Sequence, residues 1–126
     1  MNSFILSIGS NSHDREWQMT HTLSWLKKHF SDIVVSPIYE AAEATGRFAP
    51  YLNCVMKAAT SMTFDEVTAF TKQWEAVCGR TPASKMVGSV PIDLDVVMWN
   101  GQVVRPHEFE QDYFKRGYLE LNGSSL

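Results

Sequence analysis

Pro91-Ile92-Asp93-Leu94-Asp95-Val96-Val97-Met98-Trp99 sets two acids inside an otherwise apolar run. Read as a strand from Ile92 to Trp99, it alternates. Asp93 and Asp95 fall on one face, roughly 6.6 Å apart along the strand, and Ile92, Leu94, Val96 and Met98 face the core. Like charges on adjacent same-face positions repel, so a positive partner is expected. A divalent cation such as Mg²⁺ prefers hard oxygen donors and shares them with phosphate groups. The plain alternative is a solvated strand face carrying two stray acids.

Working outward, the neighbouring segments supply the rest of a sheet. Ser3 to Ile8 predicts a first strand, broken by Gly9-Ser10-Asn11. Asp14 to Phe30 predicts a helix, with Met19, Leu23, Leu26 and Phe30 as its apolar stripe. Ile33 to Tyr39 is strand-like but interrupted by Pro37, and Tyr51 to Ala59 alternates as a further strand. Thr63 or Asp65 begins a second helix that ends at Cys78-Gly79, with Phe64, Val67, Thr71, Trp74 and Cys78 facing inward. Asn100-Gly101 signals a hairpin leading to a short edge strand, Gln102 to Val104, and a short helix is expected through Phe114 and Arg116. Two segments, Glu40 to Pro50 and Arg80 to Ser89, fit no regular element. The order strand, helix, strand, strand, helix, strand predicts an α+β, ferredoxin-like fold. In it, a four-stranded antiparallel sheet carries helices on one face and leaves the other face open. One domain over residues 1–120, with a flexible tail over 121–126, is expected.

Size and charge narrow the function. The chain has 126 residues, with 11 basic and 14 acidic side chains and a net charge of -3, which argues against a nucleic-acid binder. There is no basic lead-in with a long apolar core for a signal peptide, and no apolar run of membrane-spanning length. Cys54 and Cys78 form no CxxC pair and read as buried thiols. These features point to the cytoplasm. Oligomeric state is not legible.

Besides the acid pair, several residues stand out. Tyr51 and Asn53 share a strand face, and a ring beside an amide suits a flat heterocycle with donor and acceptor edges. Arg80 follows a helix end that carries Glu75, and a guanidinium there is able to grip phosphate. Lys85 is the sole charge between Arg80 and Asp93. His107 and Arg116 are isolated basic residues near the end of the chain. Each also has an ordinary structural or solvated reading.

In order and spacing, Ile8-Gly9-Ser10-Asn11, Tyr39, Tyr51-Leu52-Asn53, Glu75, Gly79-Arg80, Asp93-Leu94-Asp95, Pro106-His107 and Arg116-Gly117-Tyr118 resemble the 6-hydroxymethyl-7,8-dihydropterin pyrophosphokinase family. The resemblance covers nearly the whole chain. It implies transfer of pyrophosphate from ATP to the pterin hydroxymethyl group in folate biosynthesis. It also implies two Mg²⁺ ions on Asp93 and Asp95, and ATP contacts from Glu75, Arg80, His107 and Arg116. Tyr51, Asn53 and Tyr118 would hold the pterin, with Tyr118 as the stacking aromatic. The family's catalytic loop carries several arginines and a tryptophan. Here that loop reads Thr81 to Pro91 with only Lys85, and three extra residues separate His107 from Arg116. The pyrophosphokinase, active or weakened, is the first expectation. A non-catalytic nucleotide- or pterin-binding descendant, or a ferredoxin-like interaction module, is the alternative.

Overall fold

The computed structural model describes the backbone of residues 1–123 and side chains through Leu121. Its strands are β1 (Asn2–Ser10), β2 (Ser31–Val35), β3 (Tyr39–Ala41), β4 (Tyr51–Thr60), β5 (Asp93–Trp99) and β6 (Gln102–Val103). Its helices are α1 (Arg15–His29), α2 (Phe64–Val77), α3 (Ser84–Val87), α4 (Pro106–Phe109) and α5 (Asp112–Gly123). The strands form one antiparallel sheet in the order β2-β4-β1-β5-β6, with β3 also paired to β4. The α+β class therefore stands, but the sheet has six strands, not four. Pro37 accounts for one of the extra strands. It lacks an N–H, so the expected strand from Ile33 to Tyr39 splits into β2 and β3. The hairpin after Asn100-Gly101 supplies the other.

The first core lies between the sheet and helices α1 and α2. It joins Phe4, Leu6 and Ile8 of β1, Cys54 and Met56 of β4, Leu94 and Val96 of β5, Met19 and Leu26 of α1, and Val67 of α2. The predicted stripes hold here, although Phe64 at the start of α2 stays 37% exposed. Thr63 caps α2: its hydroxyl accepts the Glu66 N–H at 3.2 Å while the Glu66 carboxylate accepts the Thr63 N–H at 2.9 Å.

The opposite face of the sheet is only partly open. Helix α5 lies across β4 and builds a second core from Val55, Val97, Phe114 and Leu121. That corrects the expectation of helices on one face only. The cause is visible in the strands: Ile5 and Val55 are apolar on the face expected to be open. Leu121 is buried and α5 continues to Gly123, so the tail expected over 121–126 overlaps a helix. Residues 124–126 lie outside the described residues.

Strand β5 departs from simple alternation. Leu6 pairs with Val96 but Ile5 with Met98, leaving Val97 as an extra residue. The bulge turns Val97 and Met98 toward the second core and returns Trp99 to the first. Met98 was expected in the first core and is not there. The Val97 carbonyl accepts the N–H groups of Val104 at 2.8 Å and Arg105 at 3.3 Å, which fixes where the chain leaves β6.

Helix α5 is seated by Tyr39 and Gly117. The Tyr39 hydroxyl donates to the Tyr113 carbonyl and accepts the Gly117 N–H at 3.1 Å. A Cβ on Gly117 would sit 2.5 Å from Val55 Cγ2 and 2.7 Å from the Tyr39 oxygen. The helix therefore packs backbone-close to the sheet. Gly117→Ala is expected to destabilise the protein by about 1–3 kcal/mol through overpacking. Urea denaturation measures it, and an unchanged midpoint contradicts this account of the seat.

Candidate functional site

The site grows from two residue rows across the centre of the sheet. Asn53 of β4 pairs with Gly9 of β1, which pairs with Asp93 of β5. One step along, Val55 pairs with Ser7, which pairs with Asp95. Gly9 thus leaves a hollow between an amide and a carboxylate. A Cβ there would come within 2.7 Å of Asn53 Oδ1 and 3.4 Å of the Tyr51 ring. The hollow opens into a cleft of about 790 Å³. Its walls include Tyr51, Asn53, Arg80, Lys85, Asp93 and Asp95, all singled out in the sequence.

Glu75 organises one side from beneath. It is 5% exposed, and its Oε2 accepts the Leu94 N–H at 2.7 Å. The same oxygen meets Lys72 Nζ and Arg80 Nη1, each at 3.1 Å. Arg80 Nη1 continues to Asp93 Oδ1 at 2.8 Å and to the Ile92 carbonyl at 3.2 Å. Lys72 Nζ donates to the Leu94 carbonyl at 2.9 Å and lies 3.6 Å from Asp95 Oδ1. Arg105 Nη2 lies 3.8 Å from that same Asp95 oxygen.

Burial, then the neighbouring Asp93 charge, push Asp95 up to about 6, with Lys72 and Arg105 opposing. Burial works against the Arg80 charge. The hydrogen bond and charge of Asp93, with Glu75 and Asp95, more than restore it and hold the guanidinium firmly protonated. Tyr51 is raised by burial and then by Asp93.

The loops that flank the cleft are tied to the end of β1 by Asn11. Its amide Nδ2 donates to the carbonyls of Ala49 at 3.1 Å and Gly88 at 2.9 Å, and its Oδ1 accepts the Val90 N–H at 2.7 Å. The segment Arg80 to Ser89, expected to be irregular, contains the single turn α3 and carries Lys85 to the cleft.

Three sequence candidates stand away from the cleft wall. His107 is exposed on α4, within reach of the Gln111 side chain. Arg116 stacks over the Tyr39 ring at 4.6 Å. Tyr118 packs 5.5 Å from Phe109 and 5.6 Å from Phe114, on the second core. The cleft instead gathers Lys72, Arg105, Glu108 and Tyr113, which the sequence reading did not select. Lys72 sits three residues before Glu75, a spacing that places them side by side on a helix. Arg105 directly precedes the Pro106-His107 pair. Those were the available signals.

The donor set suits a magnesium-like ion. Among the described residues no group of three or more His, Cys, Asp and Glu converges. Two carboxylates on one strand face are what Mg²⁺ uses when phosphate oxygens complete its shell. Asp93 and Asp95 make their ion pairs through Oδ1, so each keeps a second hard donor.

An acid pair in a cleft also lined by Lys72, Arg80, Lys85 and Arg105 is the set of groups that phosphoryl transfer draws on. The comparisons give the family. Residues 5–122 match the 7,8-dihydro-6-hydroxymethylpterin-pyrophosphokinase family, and the chain belongs to it. A 2-amino-4-hydroxy-6-hydroxymethyldihydropteridine pyrophosphokinase of Aquifex aeolicus (strain VF5) is 30% identical over 133 residues, covering 96% of this chain and 81% of the relative. The resemblance drawn from the ordered motifs is thereby borne out. Membership assigns the chain pyrophosphate transfer from ATP to hydroxymethyldihydropterin, a step of folate biosynthesis.

The raised Asp95 makes a stability prediction. The folded chain holds a proton there more tightly than the unfolded chain, whose carboxyl titrates near 3.8. This contribution to stability is full below the unfolded value and is lost as pH rises through about 6. In the ligand-free protein at neutral pH, Asp95→Asn is expected to raise stability by about 2–3 kcal/mol, and the gain fades as pH approaches the unfolded value. Urea melts at two pH values test this. A loss of stability at neutral pH contradicts it.

Proposed function

We propose that the cleft itself carries out the family reaction, with Tyr51 and Asn53 holding the pterin and the Asp93–Asp95 side holding the phosphates of ATP. The observation that carries this reading is the juxtaposition, across Gly9, of an aromatic–amide pair with an acid pair surrounded by cations. The pterin hydroxyl oxygen attacks the β-phosphorus and loses its proton. The bond from that phosphorus to the oxygen bridging the α-phosphate breaks, and AMP leaves. Asp93 and Asp95 would hold two Mg²⁺ ions, which when bound neutralise charge on the triphosphate. Lys72 and Arg105 flank Asp95 and are placed to receive phosphate oxygens. Arg80 is held against Asp93 until a ligand competes for it.

Lys85 takes the role that arginines fill in the resembling family's loop. Such transfers depend mainly on positioning and charge neutralisation. A loop with one cation supports slow turnover, so we read the chain as a weakened pyrophosphokinase. Binding without turnover is the second reading, favoured by that same poverty of charge. An interaction module is disfavoured, because α5 covers much of the sheet face such a module would offer.

The strand order supports a ferredoxin-like unit made of β1, α1, β2, β4, α2 and β5, with β3, α3, β6, α4 and α5 as additions. We read the chain as one pyrophosphokinase domain, working on ATP and a pterin without nucleic acid. No described helix is long and apolar enough to cross a membrane, which is compatible with the cytoplasmic setting proposed from the sequence.

Incubation with ATP, Mg²⁺ and 6-hydroxymethyl-7,8-dihydropterin is expected to release AMP. Asp95→Asn is expected to lower the rate at least a hundredfold, and chelation of the metal to abolish it. Detection of no AMP above the Asp95→Asn level would sink the enzymatic reading. Lys85→Ala is expected to lower kcat by roughly 10²–10³ with little change in KM, as for loss of one transition-state donor. Steady-state kinetics check this, and an unchanged kcat removes Lys85 from the chemistry.

A further inference from the structure

We propose that Tyr113, and not the motif-matched Tyr118, is the aromatic wall on which the flat ring of the substrate stacks. The inference rests on the assignment of the cleft as the pterin site. It concerns which helix residue completes that site.

Helix geometry separates the two tyrosines. Five residues apart on α5, they point about 140° away from each other. Tyr118 is four residues after Phe114, so both fall on one helix face. That face is the one turned to the sheet. Phe114 is fully buried, and its ring stacks on that of Tyr118 with centroids 5.6 Å apart and planes 18° apart. Phe109 closes on Tyr118 from another side at 5.5 Å. With both neighbours in place, half-buried Tyr118 packs on the second core and is not among the residues that line the cleft.

Tyr113 sits in the first turn of α5, at the boundary between that core and the cleft. It packs partly against the second core and also lines the cleft, together with Tyr51 and Asn53. Its backbone is pinned, since its carbonyl accepts the Tyr39 hydroxyl. A stacking surface gains from this because the ring is positioned before the ligand arrives.

Electrostatics place the two cleft tyrosines at one corner. Tyr113 is raised above the ordinary tyrosine range by burial, then by its hydrogen bond to Glu108 and by the charges of Glu108, Asp93 and Asp95. Tyr51 also feels Asp93. Rings from β4 and α5 thus border the ground beside the acid pair, where a ring bearing a reactive hydroxymethyl group has to lie.

Helix α4 ends at Phe109 and α5 begins at Asp112, so Tyr113 falls in the first turn of α5. The start of α5 thereby brings a tyrosine of its own to the cleft.

The test is equilibrium binding of 6-hydroxymethylpterin, followed by its fluorescence with Mg²⁺ and a non-hydrolysable ATP analogue present. Tyr113→Leu is expected to weaken binding roughly tenfold, as loss of one stacking partner does. Tyr113→Phe is expected to retain wild-type affinity, because the ring and not the hydroxyl supplies the wall. Tyr118→Leu is expected to lower Tm and leave affinity unchanged. Wild-type affinity in Tyr113→Leu overturns the proposal, as does a loss of affinity confined to Tyr118→Leu. If the wild-type protein binds no pterin, both the proposal and the assignment of the cleft fall. If it binds pterin and Tyr113→Leu does so equally well, only the proposal falls.

Discussion

The cleft depends on one buried oxygen, Oε2 of Glu75. It accepts a backbone N–H from Leu94, between the two acids, and it also meets Lys72 and Arg80. Strand β6 is only two residues long, so among the described residues no strand lies beside the outer edge of β5 at Leu94. Glu75 and Lys72 take that place with side-chain hydrogen bonds to the Leu94 N–H and carbonyl. One carboxylate therefore closes an open sheet edge, sets the relation of α2 to β5, and delivers two cations toward the acids. Breaking such a buried pair by removing one partner costs about 3–5 kcal/mol.

Around this anchor the protein tolerates unfavourable electrostatics. Asp93 and Asp95 face the same hollow, and Asp95 is nearly buried. Arg80 neutralises Asp93 at hydrogen-bond distance, whereas Lys72 and Arg105 approach Asp95 only to 3.6 and 3.8 Å. The acid pair is thus unevenly compensated, and Asp95 keeps most of the unrelieved charge. A hydrophobic pair at these positions would be more stable and would bind no cation, so the strain is concentrated where the chemistry needs charge.

Much of this was legible in the sequence, because it rests on local patterns. The period-two run in β4, the helix start at Thr63 or Asp65 and the acids in β5 each declare themselves within a few residues. Tyr51, Asn53, Arg80, Lys85, Asp93 and Asp95 were found that way, and the structure brings all six to one cleft. What stayed hidden depends on distant partners. The bulge at Val97 follows from how β5 meets β1, and no residue near Val97 marks it. Tyr118 matched a motif, but its surroundings are set by Phe109 and Phe114. Lys72 and Arg105 are ordinary surface cations until the fold places Asp95 beside them. The second core was missed because Ile5 and Val55 lie on the face expected to be open, where α5 packs.

The extra residue at Val97 divides β5 into two stretches with separate duties. Before it, the strand alternates between the core and the acids that face the ligand cleft. After it, Met98 and Trp99 serve only packing, and the Val97 carbonyl steers the chain to Arg105. Variation in this strand is accordingly partitioned. Drift at Asp93 and Asp95 is read out as lost chemistry in a folded protein, while drift at Leu94 and Val96 before the bulge, and at Met98 and Trp99 after it, is read out as abundance.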